Sequence, residues 1–159
     1  MKRLFGLSVF LLAFSVFSQQ ADLAQNYFDQ AEYGKALSIY EKLFHENPTN
    51  NGYLFQIITI HQQLENYEFA EALLIKASAQ PNPQFFVELG YNYALKGDRE
   101  MERQNYELAL QKLKENPIYT NYVADRFRQR GLLDFAIQAL EQTIVMQPQP
   151  SFLLQLTRF

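Results

Sequence analysis

One small residue returns along this chain at a nearly fixed interval. Ala36, Ala70, Glu102 and Ala136 follow one another at spacings of 34, 32 and 34 residues, and the flanking pattern travels with them. The first instance lies in Tyr33 to Pro48, which reads as one amphipathic helix ending in a proline. A period in this range belongs to arrays of helical hairpins, in which each unit buries its apolar side only against its neighbours. The spacing therefore predicts an all-α stack with no internal domain boundary. It carries no information about a partner.

The columns sharpen when the first helix of each hairpin is aligned. Ala24, Ile58, Gly90 and Ala124 each stand 12 residues before the small position of the second helix, and three residues later come Tyr27, His61, Tyr93 and Phe127. Three residues is close to one helical turn, so a small and a large side chain share each face. In the second helices, Tyr40, Leu74, Tyr106 and Leu140 lie four residues after the small position, and Leu43, Ala77, Ala109 and Thr143 lie seven after it. Steps of four and seven draw a single apolar stripe. Gly34, Gly97 and Gly131 are the expected left-handed residues of the intervening turns, with Glu65-Asn66 in the second unit. Pro48, Pro81, Pro83, Pro117, Pro148 and Pro150 all fall between hairpins, where a missing N–H is harmless.

These residues resemble the tetratricopeptide repeat (TPR) family in its secreted or periplasmic bacterial form. Leu89-Gly90 with Tyr93, Gly97, Tyr106 and Ala109 carries the pattern in the third unit. Ala24, Tyr27, Ala36, Tyr40 and Pro48 carry it in the first, and Ala124, Phe127, Gly131, Ala136, Leu140 and Pro148 in the fourth. The resemblance implies a right-handed α-solenoid of about four hairpins, with units near residues 19–48, 49–82, 83–116 and 117–149. A partial fifth unit, 150–159, is expected because Pro150 to Thr157 repeats the opening at Pro117 33 residues on. That end lacks a covering helix, so the sequence predicts a fragment of a longer array, prone to self-association. Two positions depart from the pattern: Ile58 is large and Glu102 is charged where small residues are expected, which predicts looser packing there.

In this family the concave face is lined by first-helix residues lying between the packing columns. Here those are Phe55, Thr59 and Gln62 in unit two, Val87, Tyr91 and Ala94 in unit three, and Asn121, Asp125 and Arg128 in unit four. A groove of aromatic and amide groups suits an extended peptide. The Lys and Asn pattern of chaperone-tail binders is not visible, since the first unit offers Ala21 and Gln25 at the inner places. Arg126, Arg128 and Arg130 alternate at spacing two, which spreads them around a helix.

Composition narrows the function classes. The sequence contains no cysteine, which removes disulfides, thiol nucleophiles, Cys-based zinc sites and lipidation of an N-terminal cysteine together. His45 and His61 lie in different helices without ligand spacing, so no metal or cofactor is expected. Acidic residues such as Glu68, Glu71, Asp98, Glu100 and Glu102 gather at helix starts, where they complement the dipole. No nucleophile, base or phosphate loop presents itself, and the reading is non-enzymatic. Met1-Lys2-Arg3, an uncharged run over residues 4–17 and Val16-x-Ser18 have the layout of a signal peptide over residues 1–18, too short to span a bilayer. Removing Lys2 and Arg3 with the leader takes the net charge from −3 to −5, which opposes nucleic-acid binding.

The sequence thus argues for an exported, periplasmic or secreted scaffold that binds a protein or peptide. Two alternatives remain: the recognition arm of a longer exported enzyme, and a structural component of an envelope assembly complex.

Overall fold

A computed structural model describes residues 19–146, and the leader (1–18), the fifth unit (150–159) and the C-terminal prolines lie outside the described residues. The chain divides into two compact units, Met1–Asn66 and Tyr67–Phe159. Every α-helix and 3-10 turn in the described residues belongs to a hairpin pattern, and no strand occurs among them.

The first unit holds α1 (19–29), α2 (Tyr33–Glu46) and α3 (Asn51–Gln63). The small column closes these helices: Ala24 and Ala36 are both fully buried, with Tyr40 and Leu43 beneath them. Polar ties accompany the packing. The Tyr40 hydroxyl and the Gln56 side-chain amide each donate to Gln25 Oε1 at 3.2 Å, linking all three helices through one acceptor. Asn50 caps α3, its side chain accepting from the Gly52 N–H at 2.9 Å.

The second unit holds α4 (Tyr67–Ala77), α5 (Gln84–Lys96), α6 (Arg99–Glu115), a 3-10 turn (Pro117–Tyr119), α7 (Thr120–Gln129) and α8 (Leu133–Met146). Helix α5 packs on α4, α6 and α7, while α8 packs on α6 and α7. First helices therefore lie beside first helices, and second beside second. Between α5–α6 and α7–α8 lies a core of Val87, Tyr106, Ala109, Leu113, Phe127, Ala136 and Leu140. Tyr106 meets Phe127 edge-on at 5.6 Å, and Phe135 stacks on Phe127 at 5.2 Å between ring centres. Aromatic pairs of this geometry contribute about 0.5–1.5 kcal/mol each beyond their burial.

The α5–α6 crossing corrects the expectation of loose packing at Glu102. A methyl group at Gly90 would overlap the Tyr106 ring and lie 3.0 Å from the Glu102 carbonyl oxygen, so the helices touch through their backbones. The Glu102 carboxylate escapes the crossing by leaning out to Arg99, with an N–O distance of 2.7 Å. Its side chain is 14% exposed, neither orphaned nor in place of a core residue.

The hairpin turns share one device. In each, the N–H of one residue donates to the carbonyl five positions back: Glu32 to Tyr27 (2.8 Å), Asn66 to His61 (2.9 Å), Asp98 to Tyr93 (2.9 Å) and Leu132 to Phe127 (2.9 Å). The acceptors are the whole ring column. A residue with positive φ sits just before each donor, namely Ala31 (58°), Glu65 (57°), Gly97 (81°) and Gly131 (76°). This is the Schellman closure of a helix C-terminus. Gly34 was expected in that role in the first turn. It lies instead inside α2, and Ala31 takes the left-handed conformation.

Candidate functional site

Helices α5 and α7 lie side by side and carry the most unusual polar chemistry in the described residues. Glu88, on α5, is 1% exposed. A buried carboxylate is costly unless it is paired. Its partners come from α7 and the residue that ends it: Arg130 donates to Glu88 Oε2 in a short charged hydrogen bond, and Arg126 lies 3.5 Å from Oε1. Arg126 and Arg130 are one helical turn apart, so a single carboxylate receives both. The Arg130 guanidinium also lies over the Tyr91 ring at 3.9 Å, within cation–π range. Burial pulls the Arg126 guanidinium below the usual arginine value, while Glu88 pulls it back up and Arg130 lowers it further. Burial pushes the neighbouring Tyr106 hydroxyl well up, with Glu102 and then Glu88 adding to the shift. The phenol is therefore neutral at any physiological pH.

On the outer side of α7, Tyr122, Asp125 and Gln129 are exposed at i, i+3 and i+7, forming one open stripe. Tyr122 is 61% exposed. Arg126 borders this stripe on the α5 side, and Arg128 borders it on the other, paired with Asp125 at 3.3 Å. At the α5 edge, Gln84 donates to the Tyr122 carbonyl at 3.3 Å and fixes the two helices in register. Toward α4, Glu71 accepts from the Tyr93 hydroxyl at 2.8 Å and from Lys96 at 2.6 Å, and the Lys96 bond holds its carboxyl below the usual range.

The residues expected from the sequence to line a groove divide three ways. Asn121, Asp125 and Arg128 are exposed, and Tyr91 and Thr59 are partly exposed. Val87 is fully buried in the core and faces no ligand. Phe55 and Gln62, in the first unit, are also buried, at 6% and 4% exposure. The helical phase explains the misplacement: the buried arc of these helices is wider than two columns, so positions beside the columns are covered too. Glu88, Arg126 and Arg130 were missed. The available signals were an acid between Val87 and Leu89 on a helix otherwise apolar there, and two arginines spaced by four. His61, in the ring column, is buried as expected, and burial lowers its pKa against an opposing pull from Glu41. Among the described residues, no group of three or more His, Asp or Glu side chains is arranged to hold a metal ion.

No family model and no curated protein matches this sequence. Solved structures do. The type III secretion translocator chaperone SycD of Yersinia enterocolitica superposes with a TM-score of 0.61 at 15% identity, covering 76% of this chain and 89% of that one. MamA from Desulfovibrio magneticus RS-1 gives a TM-score of 0.49 at 15% identity, covering 85% of this chain and 76% of that one. A thermophilic TPR protein of Thermus thermophilus gives 0.48 at 21% identity, covering 86% and 77%. The fold is the all-α tetratricopeptide type. At these identities the likeness extends to fold alone.

Proposed function

We propose that this protein is an exported, non-enzymatic scaffold that binds a polypeptide partner across the first-helix face of its repeats, with the α5–α7 pair at the centre of the site. The observation that carries this reading is the open stripe of α7. Tyr122 and Gln129 stand exposed beside Arg126, Arg128 and the half-exposed Tyr91, while the opposite side of the same helix is closed by Val123, Ala124 and Phe127. Exposed tyrosine and arginine side chains held on a rigid helical frame are the residue types that dominate protein interfaces. SycD is named as a translocator chaperone, a protein that handles another polypeptide, and this agrees with the reading without identifying a partner here.

Site-specific photocross-linking in the native host tests it. A benzoyl-phenylalanine probe at Tyr122 is expected to capture a discrete polypeptide, and the same probe at Ile75 on α4, which is 53% exposed, is not. Equal labelling from both positions, or none from Tyr122, would overturn the assignment of this face.

A further inference from the structure

The charge on the α5–α7 face is opposite in sign to that of the rest of the molecule. The chain as a whole has a net charge of −3. Among the described helices, α7 alone carries a cationic surplus; α1, α4 and α8 are acidic, and the four cations of α6 are balanced by four carboxylates. Arg126, Arg128 and Arg130 face only Glu88 and Asp125 across the two helices. The surplus is also rigid. Glu88 is buried and fixes two guanidiniums from below, and the Tyr91 ring flanks one of them. A folded protein gains nothing in stability from gathering like charges, so a fixed excess with exposed aromatic neighbours points to a ligand of opposite charge.

We infer that the α5–α7 face recognises an acidic segment of an extended polypeptide, whose carboxylates lie along the Tyr122, Asp125 and Gln129 stripe between Arg126 and Arg128. Arginine presents a planar fork that matches a carboxylate, and a tyrosine beside it accepts the intervening apolar side chains. Asp125 stands in the middle of this stripe and is half-exposed, at 51%. It repels such a ligand and so sets a threshold on how acidic the segment must be. This inference rests on the scaffold reading above and names the chemistry of the partner.

Fluorescence anisotropy with the full chain tests it. The probe is a labelled 12-residue peptide of repeating Glu-Glu-Pro-Leu, compared with its Lys-Lys-Pro-Leu counterpart. The acidic peptide is expected to bind at least tenfold more tightly, and to weaken as salt rises from about 50 to 300 mM. Two exposed positions give opposite signs: Arg128→Glu is expected to weaken binding about tenfold, and Asp125→Asn to strengthen it about threefold. Circular dichroism on both variants checks that the fold is intact. Equal affinity for the two peptides, no effect of either substitution, or stronger competition by oligo-dT or phosphatidylglycerol vesicles than by the unlabelled acidic peptide would each overturn it. If the Tyr122 cross-link to a host polypeptide survives while the acidic peptide fails, the charge reading falls and the scaffold reading stands.

Discussion

At the scale of single residues, the tightest constraint is Gly90, because the Tyr106 ring and the Glu102 carbonyl fill the space a side chain would need. Gly90→Ala is expected to destabilise the fold by about 2–3 kcal/mol, since the added methyl drives α5 away from α6, and the urea midpoint measures the loss. Glu88 is constrained by charge rather than volume. Replacing it with Gln keeps the shape but leaves Arg126 and Arg130 without their shared anion, and about 2 kcal/mol should be lost; the two arginines are 21% and 14% exposed and recover part of their hydration. His61 makes stability depend on pH. Burial lowers its pKa from the ordinary 6.5, so the folded chain binds fewer protons than the unfolded chain between the two values. The stabilisation is complete above about pH 6.5 and is lost as pH falls through the lower, folded value. His61→Phe, which copies Phe127 of the fourth unit, is expected to flatten the melting temperature between pH 7 and pH 5; an unchanged slope in that variant would assign the dependence to another group. The Glu71 carboxyl is shifted in the same direction, but its ordinary value is 4.5 and its window lies below that of the histidine.

At the scale of elements, the hairpin turn is the repeated part, and it was only partly legible. Gly97 and Gly131 announce their left-handed residues in the sequence, because glycine alone adopts positive φ without strain. Ala31 and Glu65 adopt the same conformation with no sequence signal, forced by the closure between the ring-column carbonyl and the N–H five residues on. Each of these two residues carries a steric strain that glycine would not. Glu65→Gly is therefore expected to raise stability by about 0.5–1 kcal/mol, and Gly97→Ala to lower it by a similar amount, both read from denaturant midpoints. The small and apolar columns, by contrast, were legible nearly residue by residue. Ala24, Ala36, Ala70, Ile58, Ala124 and Ala136 are all buried, because helix periodicity maps directly onto the packed face. The polar pair of α5 and α7 was not legible. An ion pair 42 residues apart depends on two helices meeting in register, and nothing local in either helix encodes that distance.

At the scale of the whole molecule, stability rests on packing between successive helices, since no cysteine is present to cross-link them. A fold held this way suits any compartment, so the place where the protein works is argued from its first residues. The basic start at Lys2-Arg3, the uncharged run to Phe17 and the Val16-x-Ser18 triplet motivate the proposal of export with cleavage after Ser18. Helix α1 is already helical at Gln19, so cleavage at that bond would place a free ammonium group at the positive end of the helix dipole. Cyclisation of an N-terminal glutamine removes that charge with loss of ammonia, which relieves the repulsion. The protein recovered from an envelope fraction is thus expected to have an intact mass starting at residue 19, with a component lighter by one ammonia. A mass that retains residues 1–18 would place the protein on the other side of the membrane and would remove the export half of the proposed function, leaving the acidic-segment site of α5 and α7 to be tested on cytoplasmic partners.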